Sequence, residues 1–261
     1  MIDIEILKSS LEGNGFISSV IYLDEVNSTN TYAKNKDIPI DSLIVTDLQS
    51  EGKGRLGRKW LTEKQSNLTF SIKKKLPLSP AENQFAVFYF SYYLYSAVKN
   101  YLSAALTSQE TEELQIKWPN DILFNWKKLS GILIESVLPE GIYIIGIGLN
   151  CNQTGFPKEI NAVSLKQITG NEIDLTNLLL NIIKEFSVHF SELENENFGY
   201  IYNNWKKSTK IIGKDCEFQI NNEKAKYGKI SDLNEDGSIS IQYNDQIVNY
   251  FSGEVKLTGI K

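Results

Sequence analysis

Cysteine and histidine are nearly absent from this chain of 261 residues. Two cysteines, Cys151 and Cys216, are too few and too far apart for a disulfide framework or a closed zinc site. A single histidine, His189, excludes metal sites of the multi-histidine type. An excess of positive charge is also missing: 27 Lys and Arg stand against 32 Asp and Glu, a formal net charge of -5. General electrostatic attraction to nucleic acid or to an anionic membrane is thereby removed, and any affinity for phosphate must come from a local cluster. The most apolar run, Phe85 to Val98, is 14 residues long and is interrupted by Ser91 and Ser96. That is short of the ~20 residues a membrane span requires and reads as a buried core helix. The start, Met1-Ile2-Asp3-Ile4-Glu5, lacks the basic segment and apolar stretch of a signal peptide. These absences predict a soluble protein of a reducing compartment, the cytoplasm, with no DNA or membrane partner.

What is present is ordinary globular usage, 41% hydrophobic and 23% charged, which excludes a disordered, collagen-like or coiled-coil chain. Strands are expected at 20–23, 43–46 and 67–72, and a short helix capped by Asn27 or Ser28 follows the first of them. Ser79-Pro80-Ala81-Glu82 carries the cap, proline and acid of a helix start, and the aromatic helix behind it should run to about Leu106. Short strands follow at 114–118, 122–125, 129–137 and 143–149, with Pro139-Glu140-Gly141 as the turn between the last two. An amphipathic helix capped by Asp174 is expected to reach Leu193, and a shorter one spans 200–206. From Ile211 the pattern changes to brief strands and polar turns, which suits a small appended β-barrel. The boundary drawn near Ser208 to Lys210 gives residues 1–209 and 210–261.

The most informative stretch is Glu51-Gly52-Lys53-Gly54-Arg55-Leu56-Gly57-Arg58-Lys59-Trp60. Its glycines match the G-x-G-x-x-G spacing of dinucleotide sites. Cations inside the glycine frame, and a following segment that leads to a strand, count against that reading. No Gly-Lys-Ser/Thr closes it, so it is not a phosphate loop of the Walker type. What remains is a mobile loop whose four cations can meet carboxylate and phosphate oxygens, or else a solvated basic turn. Trp60 anchors its end.

Three further stretches carry chemistry. In Lys117-Trp118-Pro119-Asn120-Asp121, proline holds Asn120 and Asp121 in a turn, where Asp121 could position a metal-bound phosphate and Asn120 could donate to a phosphate oxygen. A plain turn is the alternative. In Lys127-Lys128-Leu129-Ser130-Gly131-Ile132-Leu133-Ile134-Glu135, the small pair Ser130-Gly131 permits close approach of backbone or ligand. Gly146-Ile147-Gly148-Leu149-Asn150 places glycines inside a strand, where again something must come close. His189 and Cys151 read as structural, without a nucleophilic role.

Together these stretches resemble the biotin–protein ligase family. The resemblance rests on Ser28-Thr29-Asn30, Gln49, the glycine-rich loop, Lys117 to Asp121, Lys128 to Glu135 and Gly146 to Asn150, in that order, and covers about residues 20–261. It implies an α+β fold: a mixed β-sheet flanked by helices, of the class II aminoacyl-tRNA synthetase-like biotin–lipoate ligase type, with a C-terminal SH3-like β-barrel. The implied reaction joins biotin to ATP as biotinyl-5′-AMP, then passes the acyl group to a lysine of a biotin carboxyl carrier protein. Carried over by position, Ser28, Thr29, Asn30, Gln49, Lys53, Gly54, Arg55 and Lys128 would bind biotin. Arg58, Trp60, Asn120 and Asp121 would face ATP and its phosphates, Asp121 would meet Mg²⁺, and Lys128 and Arg55 would act in catalysis. Lys53 stands where the family usually has arginine, which keeps the charge and loses bidentate geometry. Only 27 residues precede Ser28, so a monofunctional type without the DNA-binding winged helix is expected, as a monomer or homodimer. Rival readings are a lipoate or octanoate ligase on the same scaffold, whose signature carries a histidine that this loop lacks, and a non-catalytic phosphate- or nucleic-acid-binding protein.

Overall fold

The structure is a computed structural model that describes residues 2–137, 140–220 and 223–260. Chain order begins with α1 (Ile4–Leu11), β1 (Ser19–Val26), α2 (Thr29–Ala33), β2 (Ser42–Gln49) and β3 (Leu68–Lys75). It continues through α3 (Asn83–Ser103), α4 (Ser108–Thr111), β4 (Leu114–Lys117), β5 (Asp121–Phe124), β6 (Lys127–Val137) and β7 (Ile142–Leu149). Next come α5 (Leu165–Thr169), α6 (Leu175–Val188), α7 (Ser191–Glu194) and α8 (Phe198–Lys207). The last strands are β8 (Asp215–Ile220), β9 (Lys226–Leu233), β10 (Ile239–Tyr243), β11 (Gln246–Tyr250) and β12 (Val255–Ile260).

β1 to β7 form one mixed sheet in the order β1-β2-β3-β7-β6-β5-β4. Only β1 and β2 run parallel, since α2 and its loop carry the chain back over the sheet between them; the other neighbours are antiparallel. α3 and α6, with α1 and α8, cover one face and enclose the main core. The aromatic residues of α3 sit there: Phe85 stacks on Phe198 at 4.3 Å and Phe88 meets Trp205 at 4.3 Å. α2 covers part of the opposite face, where Ala33, Ile38, Ile44 and Ile144 form a second, smaller cluster. β3 is therefore buried on both sides along nearly its whole length, and its polar alternation separates a core face from a cavity face.

β8 to β12 form a five-stranded antiparallel sheet in the order β11-β10-β9-β8-β12, in keeping with an SH3-like unit. It is tied to the first unit at two points: beside Pro119 the Trp118 indole donates to the Gly237 carbonyl at 2.9 Å, and from α8 Tyr202 donates to the Leu233 carbonyl at 2.7 Å.

Several local expectations hold. Ser28 caps α2 and Asp174 caps α6, while Ser79 and Glu82 form a reciprocal capping box ahead of α3. The helix expected from Asp174 to Leu193 ends at Val188, however. Phe190 leaves the helix to pack edge-on against Phe16 at 5.3 Å, and His189 stacks on Tyr93 at 4.4 Å, which supports its structural assignment. Pro139, expected in the turn after β6, lies outside the described residues. Among the described residues no helix is long and apolar enough to cross a membrane.

Candidate functional site

The cavity lies on the α2 side of the first sheet, and strand register explains its floor. Directly opposed residues of neighbouring strands share a face. One row therefore runs Ser71, Gly146, Leu133, and the next runs Thr69, Gly148, Gly131, Asp121, Lys117. Where glycine occurs, another side chain lies flat on the sheet. A Cβ on Gly146 would come within 2.1 Å of Asn30 Oδ1, and one on Gly148 within 2.2 Å of the Trp60 indole. A Cβ on Gly131 would lie 3.1 Å from the Lys128 ammonium. The close approaches expected at these glycines are thus made by the protein's own Asn30, Trp60 and Lys128. Gly146→Ala should lower stability by about 1–3 kcal/mol, because Asn30 is buried and has no room to retreat. A urea midpoint unchanged from wild type would contradict that packing.

The inner end of the cavity is polar and uncharged. Thr29 N–H donates to Gln49 Oε1 at 2.8 Å, and Thr29 Oγ1 lies 3.1 Å from the same oxygen. Ser71 Oγ stands 2.7 Å from Thr29 Oγ1 and 2.6 Å from Asn30 Oδ1. Ser28, Thr29 and Asn30 are all buried, held in place by the capped start of α2. Thr69 Oγ1 and the Trp60 indole nitrogen, both on the cavity wall, find no partner among the described residues.

The outer end is cationic. Lys128 pairs with Asp121 at 2.7 Å and sits 5.6 Å from the Trp60 ring. Its backbone is clamped: Lys128 N–H donates to the Asn161 carbonyl at 2.9 Å, and its carbonyl accepts from Val163 N–H at 3.0 Å and Asn150 Nδ2 at 3.3 Å. Arg55 approaches Asn120 Oδ1 at 3.5 Å, and burial lowers its pKa against the opposing pull of Asp121. Lys117 is lowered by burial as well, with Asp121 again opposing and Lys128 and Arg58 adding to the shift. Like charges are therefore gathered around one carboxylate.

Every residue expected at the site lines this one cavity: Ser28, Thr29, Asn30, Gln49, Lys53, Gly54, Arg55, Arg58, Trp60, Asn120, Asp121 and Lys128. Three of them do more specific things than the sequence suggested. Lys53 donates to Thr31 Oγ1 at 3.0 Å, so it fastens the loop to α2. Asn120 donates its amide to the Ile132 carbonyl and accepts from Ile132 N–H through its own carbonyl, which pins the Pro119 turn to β6. Asp121, expected at a metal, is the ion-pair partner of Lys128. Sequence reasoning passed over Ser71 and Thr69, and gave Lys117, though part of a quoted motif, no role of its own. The signal for the first two was two hydroxyls alternating with apolar residues inside a buried strand. The loop itself is closed by Gly54 N–H to the Arg58 carbonyl at 2.7 Å and Trp60 N–H to the Gly52 carbonyl at 2.8 Å. Cys151 is buried and its thiol is pushed up to about 12 by that burial, which leaves it no nucleophilic role.

A cavity with a neutral hydrogen-bonding end and a cationic mouth suits a polar, uncharged group joined to an anion. Residues 22–152 match the model of the biotin/lipoate A/B protein ligase family. The chain belongs to that family. Within it, the bifunctional ligase/repressor BirA of Bacillus spizizenii is 30% identical over 252 residues, covering 91% of this chain and 74% of that protein. The biotin–[acetyl-CoA-carboxylase] ligase of Mycobacterium tuberculosis is 23% identical over 213 residues, covering 82% of this chain and 77% of that one. Among solved structures, the biotin protein ligase from Aquifex aeolicus in complex with biotin and ATP superposes with a TM-score of 0.76 at 30% identity. That match covers 92% of this chain and 99% of the Aquifex protein.

Proposed function

We propose that this protein is an ATP-dependent biotin–protein ligase, which forms biotinyl-5′-AMP and transfers the biotinyl group to a lysine of a biotin carboxyl carrier protein. The observation that carries the reading is the polar inner end of the cavity, formed by the buried Thr29, Asn30 and Ser71 together with the half-buried Gln49. Biotin's cyclic urea offers N–H donors and a carbonyl acceptor to such a surface. The saturated tail of octanoate or lipoate would desolvate these groups and leave their remaining acceptor capacity unfilled, at a cost of ~1–3 kcal/mol for each buried group it fails to meet. Discrimination therefore follows from the site's own polarity.

Attack of a carboxylate on the α-phosphate brings two anions together, so charge and position dominate the barrier. The nucleophile belongs to the substrate, and the protein needs none of its own. In this reading Lys128 holds the biotin carboxylate and the α-phosphate. Arg55, Arg58 and Lys117 face the phosphates that leave, and the loop at 52–60 excludes water from the mixed anhydride. Among the described residues no group of three or more acidic, cysteine or histidine side chains is placed to hold a metal ion. Mg²⁺ would then arrive with ATP, ligated chiefly by phosphate oxygens, and Asp121 would supply one carboxylate to it. Residues 1–209 would form the biotin- and ATP-binding unit and 210–261 the appended barrel, working in the cytoplasm where carrier and ATP meet. The test is direct: with ATP and biotin, an unmodified carrier domain should gain one biotinyl group on a single lysine. No mass increase on the carrier would refute the proposal.

A further inference from the structure

Glu135 is not among the residues that line the cavity, yet it ends a hydrogen-bond relay that reaches into it. Its Oε2 accepts from Asn30 Nδ2 at 2.8 Å, and its Oε1 accepts from Lys34 at 2.6 Å. Burial would raise the pKa of this carboxyl, but the hydrogen bonds from Lys34 and Asn30 outweigh it and keep the pKa below the ordinary range. The second Asn30 Nδ2 hydrogen goes to the Leu133 carbonyl at 3.2 Å. Both amide hydrogens of Asn30 thus point to groups that can only accept, which fixes Oδ1 toward Ser71.

The consequence lies further along the relay. Asn30 Oδ1, Ser71 Oγ, Thr29 Oγ1 and Gln49 Oε1 form a row of four oxygens with spacings of 2.6, 2.7 and 3.1 Å. Both ends are amide oxygens, which cannot donate. Gln49 is fixed in that sense by Thr29 N–H, which donates to its Oε1. Two hydroxyl hydrogens must therefore serve three gaps, and one gap is always left without one. The row is deficient in donors and rich in lone pairs.

We propose that Glu135 is a positioning residue for specificity: by locking the Asn30 amide with its oxygen inward, it keeps the inner end of the cavity short of hydrogens and so selects ligands that bring N–H donors. This rests on the biotin reading and adds which polarity of the cyclic urea the site demands. Were Asn30 free to turn, its Nδ2 would feed hydrogens into the row and the demand for donors would fall. Glu135→Gln is the isosteric way to release it, since a carboxamide can donate to Asn30 while Lys34 takes its oxygen.

The experiment measures ATP–pyrophosphate exchange with biotin and with its two cyclic carbamate analogues, in each of which one ureido N–H is replaced by oxygen. Wild type should prefer biotin over at least one carbamate by ~10²-fold or more in kcat/KM, because that analogue leaves a buried acceptor unpaired. In Glu135→Gln the preference should shrink to about tenfold or less, with the loss appearing in KM for biotin and not in kcat. Asn30→Ala removes the amide through which Glu135 acts and leaves Ser71, Thr29 and Gln49 with two hydrogens for two gaps, so it should reduce the preference equally, and the double variant should lose no more than either single one. It also serves if Glu135→Gln shows no cooperative thermal transition. If either folded variant weakens biotin and both carbamates by the same factor, the role of Glu135 is merely structural and the proposal is overturned. If wild type shows no exchange with biotin at all, the ligase reading itself fails, and this assignment fails with it.

Discussion

Lys128→Ala is expected to slow formation of biotinyl-5′-AMP by ~10²-fold or more, the scale of losing one preorganised electrostatic contact in a water-poor site. Two losses combine in that substitution. The cation that would offset carboxylate–phosphate repulsion disappears, and Asp121 loses its partner at 2.7 Å and faces incoming phosphates with only Arg55 and Lys117 to offset it. A charge pair at ~4 Å is worth up to ~4 kcal/mol at an effective dielectric near 20, before desolvation, so either loss alone would be measurable. The hydrogen bonds that clamp the Lys128 backbone to Asn161, Val163 and Asn150 are what hold the charge ready. Lys128→Arg should recover only part of the rate, because the ammonium already lies against Gly131 and a wider guanidinium has little room there. Single-turnover adenylate formation within a few-fold of wild type in Lys128→Ala would show that this charge is dispensable.

Arg55→Gly should fail differently. Arg55 borders three adjoining cavities: the one described, a groove between α3 and β6, and a smaller opening toward Gly253 and Lys256. Removing its side chain should open them to one another. The variant should still make the adenylate, with Lys128 in place, but release it ~10-fold faster or more, as expected for loss of a charge-assisted contact. Freed biotinyl-5′-AMP reacts with any deprotonated amine, so bystander proteins added to the mixture should become biotinylated where wild type leaves them unlabelled. An intermediate off-rate equal to wild type, with bystanders unlabelled, would remove Arg55 from the role of gate.

Much of the site was legible in the sequence because its parts are local. The cap at Ser28, the glycine frame around Lys53 and Arg55, and the Pro119 turn each announce themselves within a few residues. The strands were legible from their apolar runs, with ends displaced by up to three residues where pairing extends into polar sequence, as at Lys73 to Lys75 of β3. What could not be read were relations across the sheet. Only the register shows that Gly146 makes room for Asn30 and Gly148 for Trp60. The Lys128–Asp121 pair likewise depends on β5 folding back on β6, and Ser71 becomes part of the site only once α2 lies over β3. α1 was passed over for another reason. It is only eight residues long, and its helical character depends on Asp3 as cap and on Leu7 and Leu11 reaching the core.

The most direct measurement is ATP–pyrophosphate exchange by the wild-type protein, run separately with biotin, lipoate and octanoate as the acid. It reads the first chemical step without a carrier protein, and therefore isolates what the cavity itself selects. The account predicts exchange with biotin and background rates with the two fatty acids, whose tails offer Thr29, Asn30 and Gln49 no hydrogen bond. Exchange driven by lipoate or octanoate at a rate matching or exceeding biotin would contradict it.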